Sequence, residues 1–260
     1  MGRVLPPAFV SADGAALDVS DSSGQYGHGA TEINSPKPFE GLPSTTAIIT
    51  SVVVRLALLI CGLTLVGVVL TSASATHGVR NWDASISSTL AHSRSGNLMD
   101  LAKSFSSSAD TRPILAIMAL VTITLAACRQ WRAMLLVPVA MFVEITGFLA
   151  VNYLVGRPRP DVSKIGPIPH TYSFPSGHVA ALLVCWFGCA LLLYAFERRA
   201  LATVVAAVAV VMTLMTGWAR VYLGMHHTLD VAFGLVLGGA ALTIAAKSLN
   251  MRVRTGFPSN

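Results

Sequence analysis

The sequence predicts an all-α integral membrane protein, a bundle of six transmembrane helices, and three observations carry that expectation. Hydrophobic residues make up 53% of the 260-residue chain and charged residues only 12%, about half the charge of an average soluble domain. The charges that remain crowd into short breaks between long apolar runs, as expected where the solvent of those runs is lipid. The runs show no alternating strand pattern. Lipid offers no partner to a free backbone amide, which leaves helices as the spanning form.

Residues 1–44 are rich in Gly, Ser, Pro and Asp and lack apolar periodicity. They read as a disordered cytoplasmic leader, and no apolar core follows Arg3 to suggest a secretory signal. Six apolar spans follow at 46–71, 112–128, 133–155, 178–196, 200–218 and 229–246. Most are near the ~20 residues a helix needs to cross the hydrocarbon, and the second is marginal. Residues 45–250 thus form one six-helix membrane domain, with a short tail at 251–260. Between the first two spans, Asn81-Trp82-Asp83 and the apolar positions Leu90, Leu98, Met99, Leu101 and Phe105 suggest one or two amphipathic helices in the interface. Such a segment either rests near a site or is a plain connector.

The net charge of +6 does not point to nucleic acid, because no basic run interleaved with aromatics is present. Lys and Arg gather instead in the connections between spans, where they set orientation and meet anionic headgroups. Arg129 and Arg132, Arg198 and Arg199, then Lys247, Arg252 and Arg254, together with Lys37, place both termini in the cytoplasm of a multi-pass cell-membrane protein. The opposite face also carries Arg80, Arg94, Lys103, Arg112, Arg157, Arg159, Lys164 and Arg220, so the bias is not clean. Cys61, Cys128, Cys185 and Cys189 all fall within or at the end of apolar runs, without zinc spacing, and no disulfide framework is expected.

Three clusters fall on the non-cytoplasmic side in this topology. At the exit of the third span, Arg157-Pro158-Arg159-Pro160 puts two planar, phosphate-matching guanidiniums on a stiff turn, although basic residues at a helix end also snorkel routinely. Ser173-Phe174-Pro175-Ser176-Gly177-His178 opens the fourth span. The free amides of a helix start make an anion site, with the Ser176 hydroxyl as a further donor and Gly177 allowing close approach. His178 at the rim can exchange a proton near neutral pH; the plain alternative is an N-cap followed by an interfacial histidine. The third cluster runs from Arg220 through His226-His227 to Asp230. With the sixth span starting near His226, Asp230 lies one turn on and can hold one imidazole nitrogen, leaving the other free to attack. The competing reading is a surface histidine with a capping aspartate.

Order, spacing and membrane context make the chain resemble the phosphatidic acid phosphatase type 2 family of membrane lipid phosphatases over roughly residues 80–246. The family pattern is Lys, six residues, Arg-Pro; then Pro-Ser-Gly-His; then Ser-Arg, five residues, His, three residues, Asp. Arg159-Pro160 matches the end of the first element, Pro175-Ser176-Gly177-His178 all of the second, and Arg220, His226 and Asp230 the third. Asn152 stands at the family's lysine position and Ala219 at its serine position. The resemblance implies that His226 attacks phosphorus to form a phosphohistidine while Asp230 holds the ring. It implies that His178 protonates the leaving group and then activates water. Arg159, Arg220, Ser176 and the Gly177 amide would bind the phosphate oxygens, with Asn152 as a neutral donor and Arg157 or Lys164 lending charge. Family spacing selects His226 over the adjacent His227.

The expected function is therefore hydrolysis of a lipid-linked phosphate monoester or diphosphate, with polyprenyl diphosphate, phosphatidic acid and phosphatidylglycerol phosphate as candidate substrates. No metal or other cofactor is expected, since the cations are side chains and no carboxylate cluster is present to hold magnesium. A lipid phosphotransferase and a non-catalytic lipid-phosphate binder or transporter are the alternatives. Glu144 in the third span and Arg55 in the first are intramembrane charges, expected to pair with each other or face a cavity.

Overall fold

The computed structural model describes residues 41, 43–72 and 77–251, all of them helix or connection. The expectations for the leader, for Lys37 and for Arg252 and Arg254 fall almost wholly outside those residues. The helices are α1 (Thr45–Thr71), α2 (His77–His92), α3 (Gly96–Ser108), α4 (Thr111–Ala127), α5 (Leu136–Val155), α6 (Gly177–Ala195), α7 (Arg199–Tyr222) and α8 (Thr228–Ser248), with a tight turn of helix, Ala133–Leu135, leading into α5. Five stretches are long and apolar enough to cross a membrane, or six if α3 and α4, bent by 46°, count as one broken span. The all-helical membrane bundle is thus the observed architecture. The marginal second span is the 17-residue α4, which follows α3 after a break at Ala109 and Asp110.

The centre of the bundle is largely apolar. Leu136, Ala140 and Val143 of α5, Leu182 and Cys185 of α6, and Ala241 and Ala245 of α8 are fully buried together. Outward positions such as Leu58, Leu65, Leu120, Ile123 and Val204 are largely exposed, as lipid-facing surface should be. Between helices in lipid, close backbone approach replaces the hydrophobic drive, and small residues mark where it happens. A Cβ on Gly234 of α8 would stand 2.6 Å from the Ser176 carbonyl oxygen, and one on Gly238 2.8 Å from that of Ala180. These two glycines let α8 lie directly against the start of α6.

Alternation of direction brings the C-terminal ends of α5 and α7 and the N-terminal ends of α4, α6 and α8 to one end of the bundle. There the Ser176 amide donates to the Asp230 carbonyl, joining the starts of α6 and α8. α7 runs to Tyr222 instead of stopping at 218, so Arg220 rides on its last turn. The chain then reverses at Gly224, whose φ of +75° is open to glycine at little cost and where a side chain would meet the Ser163 carbonyl. α2 and α3 are the expected amphipathic helices, and they build the site instead of merely connecting spans: Thr216 of α7 donates to the Phe105 carbonyl, and the Ser95 amide donates to the Tyr222 hydroxyl. Far from this end, Arg55 donates to Ser51 and Ser248, so Arg55 and Glu144 do not pair.

Close packing at Gly234 generates a stability prediction. Gly234→Ala should lower stability by about 1–3 kcal/mol, the usual cost of overpacking, whereas Gly239→Ala, which meets open space, should leave it unchanged. Thermal unfolding of the detergent-solubilised proteins reads the difference.

Candidate active site

His226 does not sit on α8 as the sequence suggested, but in the turn between α7 and α8, because α8 begins at Thr228. The turn is held by bonds from the Met225 and His226 amides to the Arg220 carbonyl. The His226 ring is 3% exposed at the residue level and its Nδ1 lies 2.7 Å from the Ser173 carbonyl oxygen. A carbonyl only accepts, so Nδ1 carries the proton and Nε2 keeps its lone pair. Burial pushes the imidazole down to about 4; the Asp230 charge opposes that fall and the Arg220 and Arg159 charges add to it. The ring is neutral at pH 7.

Asp230 acts on His226 at one remove. Its Oδ2 is 3.8 Å from His226 Nδ1, beyond hydrogen-bond length, so the direct carboxylate–imidazole bond expected from sequence is replaced by the Ser173 backbone. Ser173 links the two groups, since its carbonyl takes the His226 proton and its hydroxyl donates to Asp230 Oδ2. The same Oδ2 accepts from the His227 amide at 2.8 Å, with His227 Nδ1 at 3.3 Å. Asp230 therefore also caps α8, and the capping alternative proves compatible with a place beside the histidine. Of the two adjacent histidines, His226 lines the cavity described below and His227 does not.

Arg157 has a different place from the one expected. It is buried, with Nη1 2.5 Å from Asp230 Oδ1 and Nη2 2.8 Å from Asp83 Oδ2. Asp83 of α2 also accepts from the Leu229 amide at the start of α8. Both carboxylates and the guanidinium are withdrawn from solvent, so Arg157 is a clamp between α2, α8 and the loop after α5, and is not free to lend charge to a phosphate. Asn152 is corrected in the same way. Its Nδ2 donates to the Tyr172 and Phe174 carbonyls at 2.9 and 3.0 Å and its Oδ1 accepts from the Tyr172 amide at 2.8 Å. The side chain shapes the loop that precedes α6, and it lies outside the cavity lining. Lys164 also lies outside it. Ala219, at the family's serine position, packs in an apolar cluster with Ala102, Tyr222 and Met225.

The remaining expected groups meet around one cavity of about 720 Å³, lined at its polar end by Arg159, Gly177, His178, Arg220 and His226. Arg220 donates through Nη1 to Ser106 of α3 at 3.0 Å, while its Nε and Nη2 are buried without a hydrogen-bond partner. Arg159 is anchored by the Met225 carbonyl at 2.5 Å and the Thr171 carbonyl at 3.1 Å, and its Nε is likewise unpartnered. Burial lowers the Arg159 guanidinium from its ordinary value, and the Asp230 charge works against that. Ser176 is fully buried with its Oγ unpartnered, next to the cavity lining but not part of it. Gly177 opens α6, where first-turn amides have no helical acceptor. A side chain at Gly177 would press on the Phe148 ring at 3.1 Å, so this glycine also sets the packing of α6 on α5.

One cavity residue, Asp110, and one residue behind the cavity, Ser106, were not singled out from sequence. Asp110, the residue before α4, has Oδ1 3.2 Å from His178 Nε2. A carboxylate there accepts from the ring and fixes its orientation toward the cavity. Ser106 holds Arg220. Each comes from the connector between α1 and α4 and lies more than a hundred positions or several helices from its partner, with only a Ser or Asp in a polar loop as signal. Among the described residues no group of three or more His, Cys, Asp or Glu is arranged to hold a metal ion.

The Arg157 clamp yields the next prediction. Asp83→Ala leaves a buried guanidinium half-paired and should destabilise the protein by about 3–5 kcal/mol, far more than removal of an exposed carboxylate such as Asp100 from its pair with Lys103. Denaturation of the two variants side by side checks it.

Comparison with known proteins comes to the same place. The model of the PAP2 superfamily matches residues 131–254, which span α5 to α8. The crystal structure of the first transmembrane PAP2 type phosphatidylglycerolphosphate phosphatase from Bacillus subtilis aligns with a TM-score of 0.64 at 21% identity, over 78% of this chain and 98% of that one. The crystal structure of Aquifex aeolicus LpxE aligns with a TM-score of 0.50 at 23% identity, over 63% of this chain and 93% of that one. At such identities the likeness is one of fold. No curated protein sequence matches. Family model and fold agree over α5 to α8, the helices that carry most of the site, and there the chain resembles the PAP2 superfamily.

Proposed function

We propose that the protein hydrolyses a lipid-linked phosphate monoester or diphosphate through a phosphohistidine on His226, without a metal. The observation that carries this reading is a set of buried, unpartnered donors beside a neutral, oriented imidazole: Arg220 Nε and Nη2, Arg159 Nε and Ser176 Oγ. Buried donors without acceptors are costly unless a ligand completes them. The anion that a guanidinium fork, a hydroxyl and a helix start complete best is a phosphate.

In this reading the His226 Nε2 lone pair attacks phosphorus in line and the bond to the leaving oxygen breaks. The new cationic phosphohistidine is stabilised through Nδ1–H by the Ser173 carbonyl and, at 3.8 Å, by Asp230. Arg220, Arg159, Ser176 and the first amides of α6 hold the equatorial oxygens, where charge concentrates in phosphoryl transfer. His178, supported by Asp110, gives its proton to the departing oxygen. It then takes one from the water that cleaves the P–N bond, releasing phosphate and restoring both rings.

How the cavity opens supports a lipid as the substrate. Leu115 of α4 and Ile145 and Leu149 of α5 line it, yet are 56%, 48% and 41% exposed. The polar end therefore communicates with the lipid-facing surface between α4 and α5, and an amphipathic substrate reaches it sideways. Arg129 and Arg132, Arg198 and Arg199, and Lys247 mark the far end of the bundle as cytoplasmic. The site then faces the non-cytoplasmic side.

Phosphate release by the detergent-solubilised protein from a panel of lipid phosphates, with EDTA present, tests the reading. Release should persist in EDTA, fall by roughly 10⁴-fold or more in His226→Ala, and survive His227→Ala. The acidic limb of kcat/KM should lie below the ordinary histidine value near 6.5, displaced toward 4, because activity is lost only where His226 takes up a proton. Activity lost on chelation, or by His227→Ala and not His226→Ala, would overturn the proposal.

A further inference from the structure

One titratable group in the cavity has no part in the chemistry above. Glu144 of α5 is 2% exposed, lines the same cavity as His226 and Arg220, and keeps Oε1 buried without a hydrogen-bond partner. It makes no ion pair with the cavity arginines, and Arg55, the other intramembrane charge of the early spans, bonds to Ser51 and Ser248 instead. The cavity wall it belongs to includes the apolar Met118, Met141, Ile145 and Ala181. A carboxyl with an idle oxygen in such surroundings is costly unless a ligand supplies the missing donor.

The depth of Glu144 says which part of a ligand would do so. α5 runs toward the site, and Phe148, whose ring packs against Gly177 at the phosphate-binding helix start, lies one helical turn beyond Glu144. One turn is about 6 Å along the axis, a span of a few bonds. From this we infer that Glu144 is a recognition subsite for a hydrogen-bond donor carried on the carbons next to the phosphate ester. The substrate class is then a lipid phosphate with a free hydroxyl beside its headgroup, and not one whose chain is hydrocarbon from the first carbon onward. Below Glu144 the apolar wall takes the tail. The inference rests on the phosphatase reading for the position of the phosphate, and it deepens that reading by choosing among lipids.

Binding separates the two claims, because it does not need turnover. The His226→Ala protein in detergent is titrated with a monoacylglycerol phosphate bearing a free central hydroxyl, and with its methyl ether. The hydroxyl lipid should bind roughly five- to fifty-fold more tightly, the range of one buried hydrogen bond to an acidic group. Adding Glu144→Leu should remove that preference to within about twofold while leaving the ether's affinity in place. Adding Glu144→Gln, which retains an acceptor oxygen, should keep part of it. Where the leucine variant does not fold, Glu144→Met gives the same comparison. Equal affinities with Glu144 present, a preference that survives its removal, or an equal loss for both lipids would each overturn the inference. Phosphate release from the methyl ether by the protein with His226 intact reports on the phosphatase alone.

Discussion

The buried clamp of Arg157 between Asp83 and Asp230 is the constraint on which the rest of the site depends. It ties α2, the loop after α5 and the first turn of α8 together at the one place where the bundle must present several polar groups at once. Two carboxylates and one guanidinium removed from water make a poor source of stability on balance, but a strict geometric requirement, because each charge is tolerable only with its partners in place. Asp230 is then positioned to accept from Ser173 and from the His227 amide. Through Ser173 the clamp reaches the ring of His226 without touching it.

Polar groups near the cavity fall into two kinds, and the distinction organises the chemistry. Arg157 and Asn152 are saturated by protein partners and hold backbone in place. Arg220 and Ser176 are buried and Arg159 is half-buried, each with at least one buried donor unanswered. Only the second kind is prepared for an anion. Preorganised donors of this sort stabilise developing charge without reorganising during the reaction, which is the main contribution a protein can make to phosphoryl transfer. The lysine that the family pattern has at position 152 is replaced by an amide that turns to the 172–174 backbone. In the proposed reaction, cationic stabilisation then rests on Arg159 and Arg220.

The helical spans were legible in the sequence because hydropathy and length determine them almost alone in lipid: 46–71, 133–155 and 178–196 lie within a few residues of the observed helices. The ends were less legible. α7 continues to Tyr222 through Trp218 and Arg220, since amphipathic residues at the membrane surface extend a helix without raising hydropathy. The candidate residues that spacing picks out, His178, His226, Arg159, Arg220 and Gly177, line one cavity. What spacing does not encode is which of several polar neighbours a side chain chooses. Nothing local distinguishes Arg157 from Arg159, two positions apart on the same turn, yet one meets buried carboxylates and the other meets carbonyls at the cavity. Asp83, Ser106 and Asp110 were illegible as site residues for the same reason, because their roles exist only once the connector folds back over α7 and α8.

The central claim is that His226, through its free Nε2, is the nucleophile within a phosphate site made by Arg159, Arg220, Ser176 and the start of α6. A structure of the detergent-solubilised protein with vanadate, a mimic of the phosphoryl group in transfer, tests it most directly. The account predicts vanadium bonded to His226 Nε2, with the Nδ1–H still on the Ser173 carbonyl and the unanswered donors of Arg220 and Arg159 on the equatorial oxygens. Vanadate bonded to His227 or His178, or held away from Arg220, would contradict it.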